Sequence, residues 1–167
     1  FLAGEQGAWY DPSDLTTLFQ DSLGVTPVTD VGQPVGMIKD KSGNNRHMIQ
    51  ATASNKPILQ VDANNKYYLE FDGVDDFFTC ASFNMSASEN VTVFAAAAKR
   101  DETTAGVVFE SSPNISANNY SFSLACPGTA SGTNASFGSK GTTVRFSTKT
   151  GIGPGTTPYV LIGIADL

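Results

Sequence analysis

Apolar residues in this chain recur in short runs, and several alternate with polar positions rather than following a helical period. In Tyr120-Ser121-Phe122-Ser123-Leu124, extended geometry puts the apolar side chains on one face and the hydroxyls on the other. Ala135-Ser136-Phe137 and Val144-Arg145-Phe146 repeat the pattern. Further β-type runs are Pro34-Val35-Gly36-Met37-Ile38, Met48-Ile49, Pro57-Ile58-Leu59, Tyr67-Tyr68-Leu69-Glu70-Phe71, Phe77-Phe78-Thr79-Cys80 and Gly106-Val107-Val108-Phe109. Pro158-Tyr159-Val160-Leu161-Ile162-Gly163-Ile164 is the last. Val91-Thr92-Val93-Phe94-Ala95-Ala96-Ala97-Ala98 is the best candidate for a central strand, because its β-branched and aromatic start outweighs the alanines and small residues let a layer pack closely over it.

Between the runs stand turn residues. Asn44-Asn45 and Asp72-Gly73 tolerate the positive φ that tight turns need. Residues 129–141 and 148–157 are rich in Gly, Ser and Thr and read as loops, since strand patterns resume on both sides. One helix is expected, over residues 13–20 after Asp11-Pro12: Ser13 can cap it, Asp14 suits its positive end, and Leu15, Leu18 and Phe19 share a face. Many short strands separated by turns predict an all-β sandwich or barrel.

Composition narrows the function. The 167 residues suffice for one domain with a core. Only 16% are charged, and Ser, Thr, Asn and Gly fill the balance, which suits a β protein of extracellular type. A net charge of −6 with no basic cluster excludes duplex binding, where clustered cations displace phosphate counterions. Anionic membrane surfaces are excluded on the same ground, and no apolar run approaches the ~20 residues of a membrane-spanning helix. Cys80 and Cys126 lack metal or redox spacing and read as free, half-buried thiols. The N-x-S/T sequences at Asn84, Asn90, Asn114, Asn119 and Asn134 follow from the composition.

Specific motifs add a resemblance. Gly7-Ala8-Trp9-Tyr10-Asp11-Pro12-Ser13-Asp14-Leu15 opens the chain, and residues 28–36 follow. Asp40, Ser42-Gly43-Asn44 and His47, then Lys56-Pro57, then Phe71-Asp72-Gly73-Val74-Asp75-Asp76-Phe77-Phe78 continue the series. In order and spacing the set resembles the concanavalin A-like (laminin-G-like) jelly-roll domains of bacteriophage tail and other virion proteins. The resemblance implies an antiparallel two-sheet jelly-roll sandwich with a short N-terminal helix. It also implies a place on the virion surface, in a tail fibre or similar appendage, with other virion subunits as partners, a homo-oligomeric state and a host-surface glycan as ligand. Members usually run on by several strands, whereas this chain begins without Met and stops at Ala165-Asp166-Leu167. A single domain over residues 1–167, part of a longer protein and lacking its C-terminal strands, is therefore expected.

Candidate chemistry is sparse. Glycanases of this broad fold carry paired carboxylates on a strand, and Glu70-x-Asp72-x-x-Asp75 invites the comparison. Asp72-Gly73 reads as a turn, however, so Asp72, Asp75 and Asp76 are expected to accept turn amides, and no catalytic residue is assigned. No cofactor is required, although the same three aspartates offer oxygen ligands of the kind Ca²⁺ takes. His47 is the only histidine and is read as a hydrogen-bonding turn residue. Trp9 reads as a packing anchor. Asn118, Asn119 and Tyr120 are the candidate glycan contacts, with loops 114–120 and 129–140 as their setting. The functions in view are a non-enzymatic attachment module, an architectural or decoration domain that binds no sugar and, third, a polysaccharide-degrading enzyme.

Overall fold

A computed structural model describes residues 5–82, 90–99, 106–112, 121–125, 135–140, 144–149 and 159–166. The protein is all-β and antiparallel, with eleven strands among these residues. It divides into two compact units, Phe1–Phe83 and Asn84–Leu167.

In the first unit β1 (Leu18–Phe19), β2 (Met37–Ile38) and β3 (Met48–Ile49) form one small sheet. β4 (Ile58–Val61) and β5 (Tyr67–Glu70) form a hairpin. The hairpin turn follows from Asp62, whose carboxylate accepts from the Asn64 and Lys66 amides at 2.8 Å, while Asn65 takes φ 60°. Phe77-Phe78-Thr79-Cys80, expected as a strand, makes one isolated bridge, Ile49 to Thr79. The core is Leu18, Val28, Val35, Ile38 and Leu59, all buried, with Tyr10, Leu15, Met48, Tyr67, Leu69 and Phe78 packed against them.

The expected helix over residues 13–20 is not formed. A single 3₁₀ turn, Leu15–Thr17, stands there and leads straight into β1. Asp14, not the expected Ser13, is its cap, accepting from the Thr16 amide and hydroxyl. Two β-branched threonines then meet a stronger competitor: Leu18 and Phe19 pair with Ile38 and Met37 and are buried by doing so. A helix of two turns has too few internal bonds to resist that pairing.

In the second unit β7 (Val107–Glu110), β8 (Ser121–Ala125), β9 (Ala135–Lys140) and β10 (Val144–Lys149) form an antiparallel sheet in the order β10-β9-β8-β7. β9 begins on Ala135-Ser136-Phe137, where strand alternation was expected, and runs on through residues that the Gly/Ser composition had marked as loop. Gly138 is buried there, opposite Ser123 and Phe146 in register. β6 (Asn90–Ala97) pairs with β11 (Tyr159–Asp166) over eight residue pairs. Val93, Ala95, Ala97, Phe137 and Tyr159 pack around Leu124, Ala135 and Leu161. A Cβ on Gly163 would overlap the Phe137 ring, so only glycine lets ring and strand meet. β6 was expected to be central; among the described residues its sheet has two strands.

Candidate functional site

The turn at residues 40–47 is organised by one carboxylate. Asp40, 9% exposed, accepts from the Trp9 amide (2.9 Å), the Ser42 amide and hydroxyl (both 2.8 Å) and the Arg46 amide (3.0 Å). Burial alone pushes its pKa up, and the amides of Trp9, Ser42 and Arg46 outweigh that and hold it below its ordinary value. Gly43 and Asn45 supply the positive φ that the tight path needs. His47 Nδ1 accepts from the Asp40 amide at 3.1 Å, so the ring is a hydrogen-bonding part of the turn, as expected. The Tyr10 hydroxyl donates to the Arg46 carbonyl, and burial pushes its pKa up. Cys80, half-buried with a free thiol, faces that hydroxyl.

The clasp reaches the N-terminal segment at Trp9. Its amide is held by Asp40, and its carbonyl accepts from the Lys41 amide at 2.8 Å. The Lys41 ammonium lies 4.8 Å from the indole centroid. It also pairs with Asp14 at 2.8 Å and Asp11 at 3.3 Å. The hydrogen bond to Asp14 raises the Lys41 pKa and lowers that of Asp14. Trp9 is nevertheless 52% exposed, so it is not the packing anchor expected. The reason is its backbone: both peptide groups are committed to the turn, which faces the side chain outward. Nothing in the sequence links Lys41 to Asp11 and Asp14, thirty and twenty-seven positions away.

The segment after β5 is a second fixed turn. Asp72 Oδ1 accepts from the Val74, Asp75 and Asp76 amides at 2.8, 3.2 and 3.4 Å, and Gly73 has φ 77°. Asp76 Oδ2 accepts from the Asp72 amide at 2.9 Å. These bonds, the Val74 amide first, lower the Asp72 pKa. Asp76 is shifted upward by burial and by the Asp72 and Asp75 charges. Split carboxyl pKa values can mark an acid–base pair. Here the first cause is burial of Asp76, to which the Asp72 and Asp75 charges add, and the Asp72 carboxylate is lowered by the turn amides it accepts from.

One ligand atom from each of Asp72, Asp75 and Asp76 lies within 4.8 Å of the others. Three carboxylates would supply part of the six to eight oxygens Ca²⁺ takes, leaving the rest to water. Asn118, Asn119, Tyr120, Cys126 and loop residues 113–120 and 126–134 lie outside the described residues. Among the described residues no helix is long and apolar enough to cross a membrane.

Comparison with protein-family models, curated proteins and solved structures found no match.

Proposed function

We propose that this protein is a non-enzymatic module of a phage surface appendage, an antiparallel jelly-roll sandwich that displays a host-attachment surface for carbohydrate. The observation that carries this reading is the display of polar and aromatic side chains on turns fixed by their own hydrogen bonds, at Trp9 and at residues 72–76. The motif order set out above supports the architecture and the virion setting. Against catalysis stands the use of Asp72 and Asp76 as acceptors for turn amides.

The test is binding of the full protein to purified host surface polysaccharide, with calcium and with chelator. Saturable binding is expected; its loss in chelator would add a metal site, and the same loss in Asp75→Asn with calcium present would place it at Asp72, Asp75 and Asp76. Absence of binding at millimolar sugar would reject the attachment reading.

A second reading has its own observation. Phe94, Val160, Ile162 and Ile164 are exposed, and register places Phe94 opposite Ile162 on one sheet face. A face with Phe94, Val160, Ile162 and Ile164 exposed suits packing on other virion subunits without any sugar. Cross-linking within the assembled particle, mapped to β6 and β11, would favour it.

A further inference from the structure

We infer that the turn at residues 40–47 is a latch closing both ends of the first unit, so that the chain's entry (residues 5–11) and exit (residues 80–82) open together while the core stays shut. The inference is independent of the attachment reading.

Three observations carry it. First, one side chain bridges the two ends. The Arg46 guanidinium donates to Gln6 Oε1 at 2.8 Å on the entry side. On the exit side it donates to the Ala81 carbonyl at 3.4 Å and to the Ser82 carbonyl. Its rigid fork of donors suits partners on two segments at once. Second, the rest of the turn grips the same entry segment. Asn44 Nδ2 donates to the Glu5 and Gly7 carbonyls, both at 3.0 Å. Asp40 and the Lys41 amide hold the Trp9 backbone, and the Arg46 carbonyl accepts from the Tyr10 hydroxyl. Third, neither end is a strand, and the core stands without them. Its buried members are Leu18, Val28, Val35, Ile38 and Leu59, and from the entry segment Tyr10 packs against them. The last ladder bonds before the exit join Thr79 to Ile49, at 2.8 and 3.0 Å.

The physics follows. Opening the latch releases polar groups that water can satisfy, with the Tyr10 ring as its apolar cost. Segments held in this way lie at the low-stability end of a fold and open without the rest. Arg46 is common to both ends, and Asp40 holds the Arg46 amide as well as the Trp9 amide. Freeing the entry therefore loosens the grip on the exit. The exit leads to Phe83, the last residue of the first unit, so engagement of residues 5–11 is felt where the chain leaves for the second.

Cys80 stands on the exit beside the Tyr10 hydroxyl and reports opening. The full protein is labelled with an aromatic disulfide reagent under native conditions, and Cys80 is distinguished from Cys126 by peptide mass spectrometry. Parent labelling should depend only weakly on urea, as expected of an opening that exposes little surface. Gln6→Ala, which touches the entry alone, should speed Cys80 labelling at least threefold. Arg46→Gln should speed it at least tenfold, and Arg46→Lys, which keeps the charge without the fork, at least fivefold. Burial pushes the Cys80 pKa up, while the Tyr10 hydroxyl and the Arg46 charge draw it down. Loss of that charge alone would slow labelling, so acceleration in Arg46→Gln is a signature of opening. Hydrogen exchange supplies a second readout: Arg46→Gln should speed exchange at residues 5–11 and 79–82 alike and leave residues 58–70 unchanged.

Unchanged Cys80 labelling in Gln6→Ala overturns the link between the ends, and this variant decides the matter if Arg46→Gln does not fold. Exchange that quickens at one end alone overturns it too. Parent labelling with the urea slope of global unfolding means that no separate latch exists.

Discussion

Asp40 shows how much of a turn one side chain can organise. Its carboxylate satisfies three amides and a hydroxyl while almost fully buried. Asp40→Ala leaves those donors without their partner and should cost about 3 kcal/mol in urea unfolding. Asp40→Asn keeps one acceptor oxygen and should cost about half as much. The pH dependence has a definite sign. Asp40 is held below 3.8 in the fold, so the unfolded chain takes up its proton first. Its contribution is full above that value and is lost as pH falls through the lower folded one. Asp21 has the same sign and sits at about 2, chiefly through the Thr26 amide and then those of Val25 and Leu23. Asp76 has the opposite sign, since its raised pKa weakens the fold as pH rises through it. Acid titration of stability should therefore show a decline below about pH 4, less steep in Asp40→Asn. Asp76→Asn should match or exceed the parent at pH 7, as seen by thermal melting.

At the scale of elements, strand existence was legible and strand context was not. Alternation in Ser121-Phe122-Ser123-Leu124 marks β8, and Phe122 and Leu124 are indeed buried. Turn chemistry was equally legible: Asn45 and Gly73 both take positive φ, as does Asn65, which had not been singled out. The helix at residues 13–20 misled because capping and spacing are local, while the competing β1–β2 pairing spans about twenty residues. The turn at Asp72 was readable because an aspartate reaches the amides that follow it, while Asp76 accepts instead from the earlier Asp72 amide. The Trp9–Lys41 contact was not readable, since the fold alone brings those residues together. Gly36 illustrates a constraint invisible in sequence. A Cβ there would lie 2.6 Å from the Gln20 carbonyl oxygen and 2.9 Å from the Asp21 carbonyl carbon, both backbone. The Gly36 amide also donates to the Phe19 carbonyl at 2.7 Å, and its carbonyl accepts from the Gln50 amide at 2.8 Å. Neither neighbour can swing aside. Gly36→Ala should cost about 2 kcal/mol, read as a lowered melting temperature.

For the whole molecule, a net charge of −6 favours dispersal, while one sheet face opposes it. β6 and β11 alternate between a packed face, with Val93, Ala95 and Leu161, and an outer one, with Phe94 (70% exposed), Val160, Ile162 and Ile164. Those four side chains present on the order of 500 Å² of apolar surface, near the upper end for a monomer's largest patch. The one charged residue in β6 and β11 is Asp166, at the end of β11. Phe94 and Ile162 are more exposed than buried, so polar replacement there should act on association more than on folding. The pair Phe94→Thr and Ile162→Thr should hold the melting temperature and raise the concentration at which light scattering stays monodisperse. If the same pair also blocks incorporation into the particle, the face is an architectural contact. A fall in melting temperature would instead make it part of the fold's own packing.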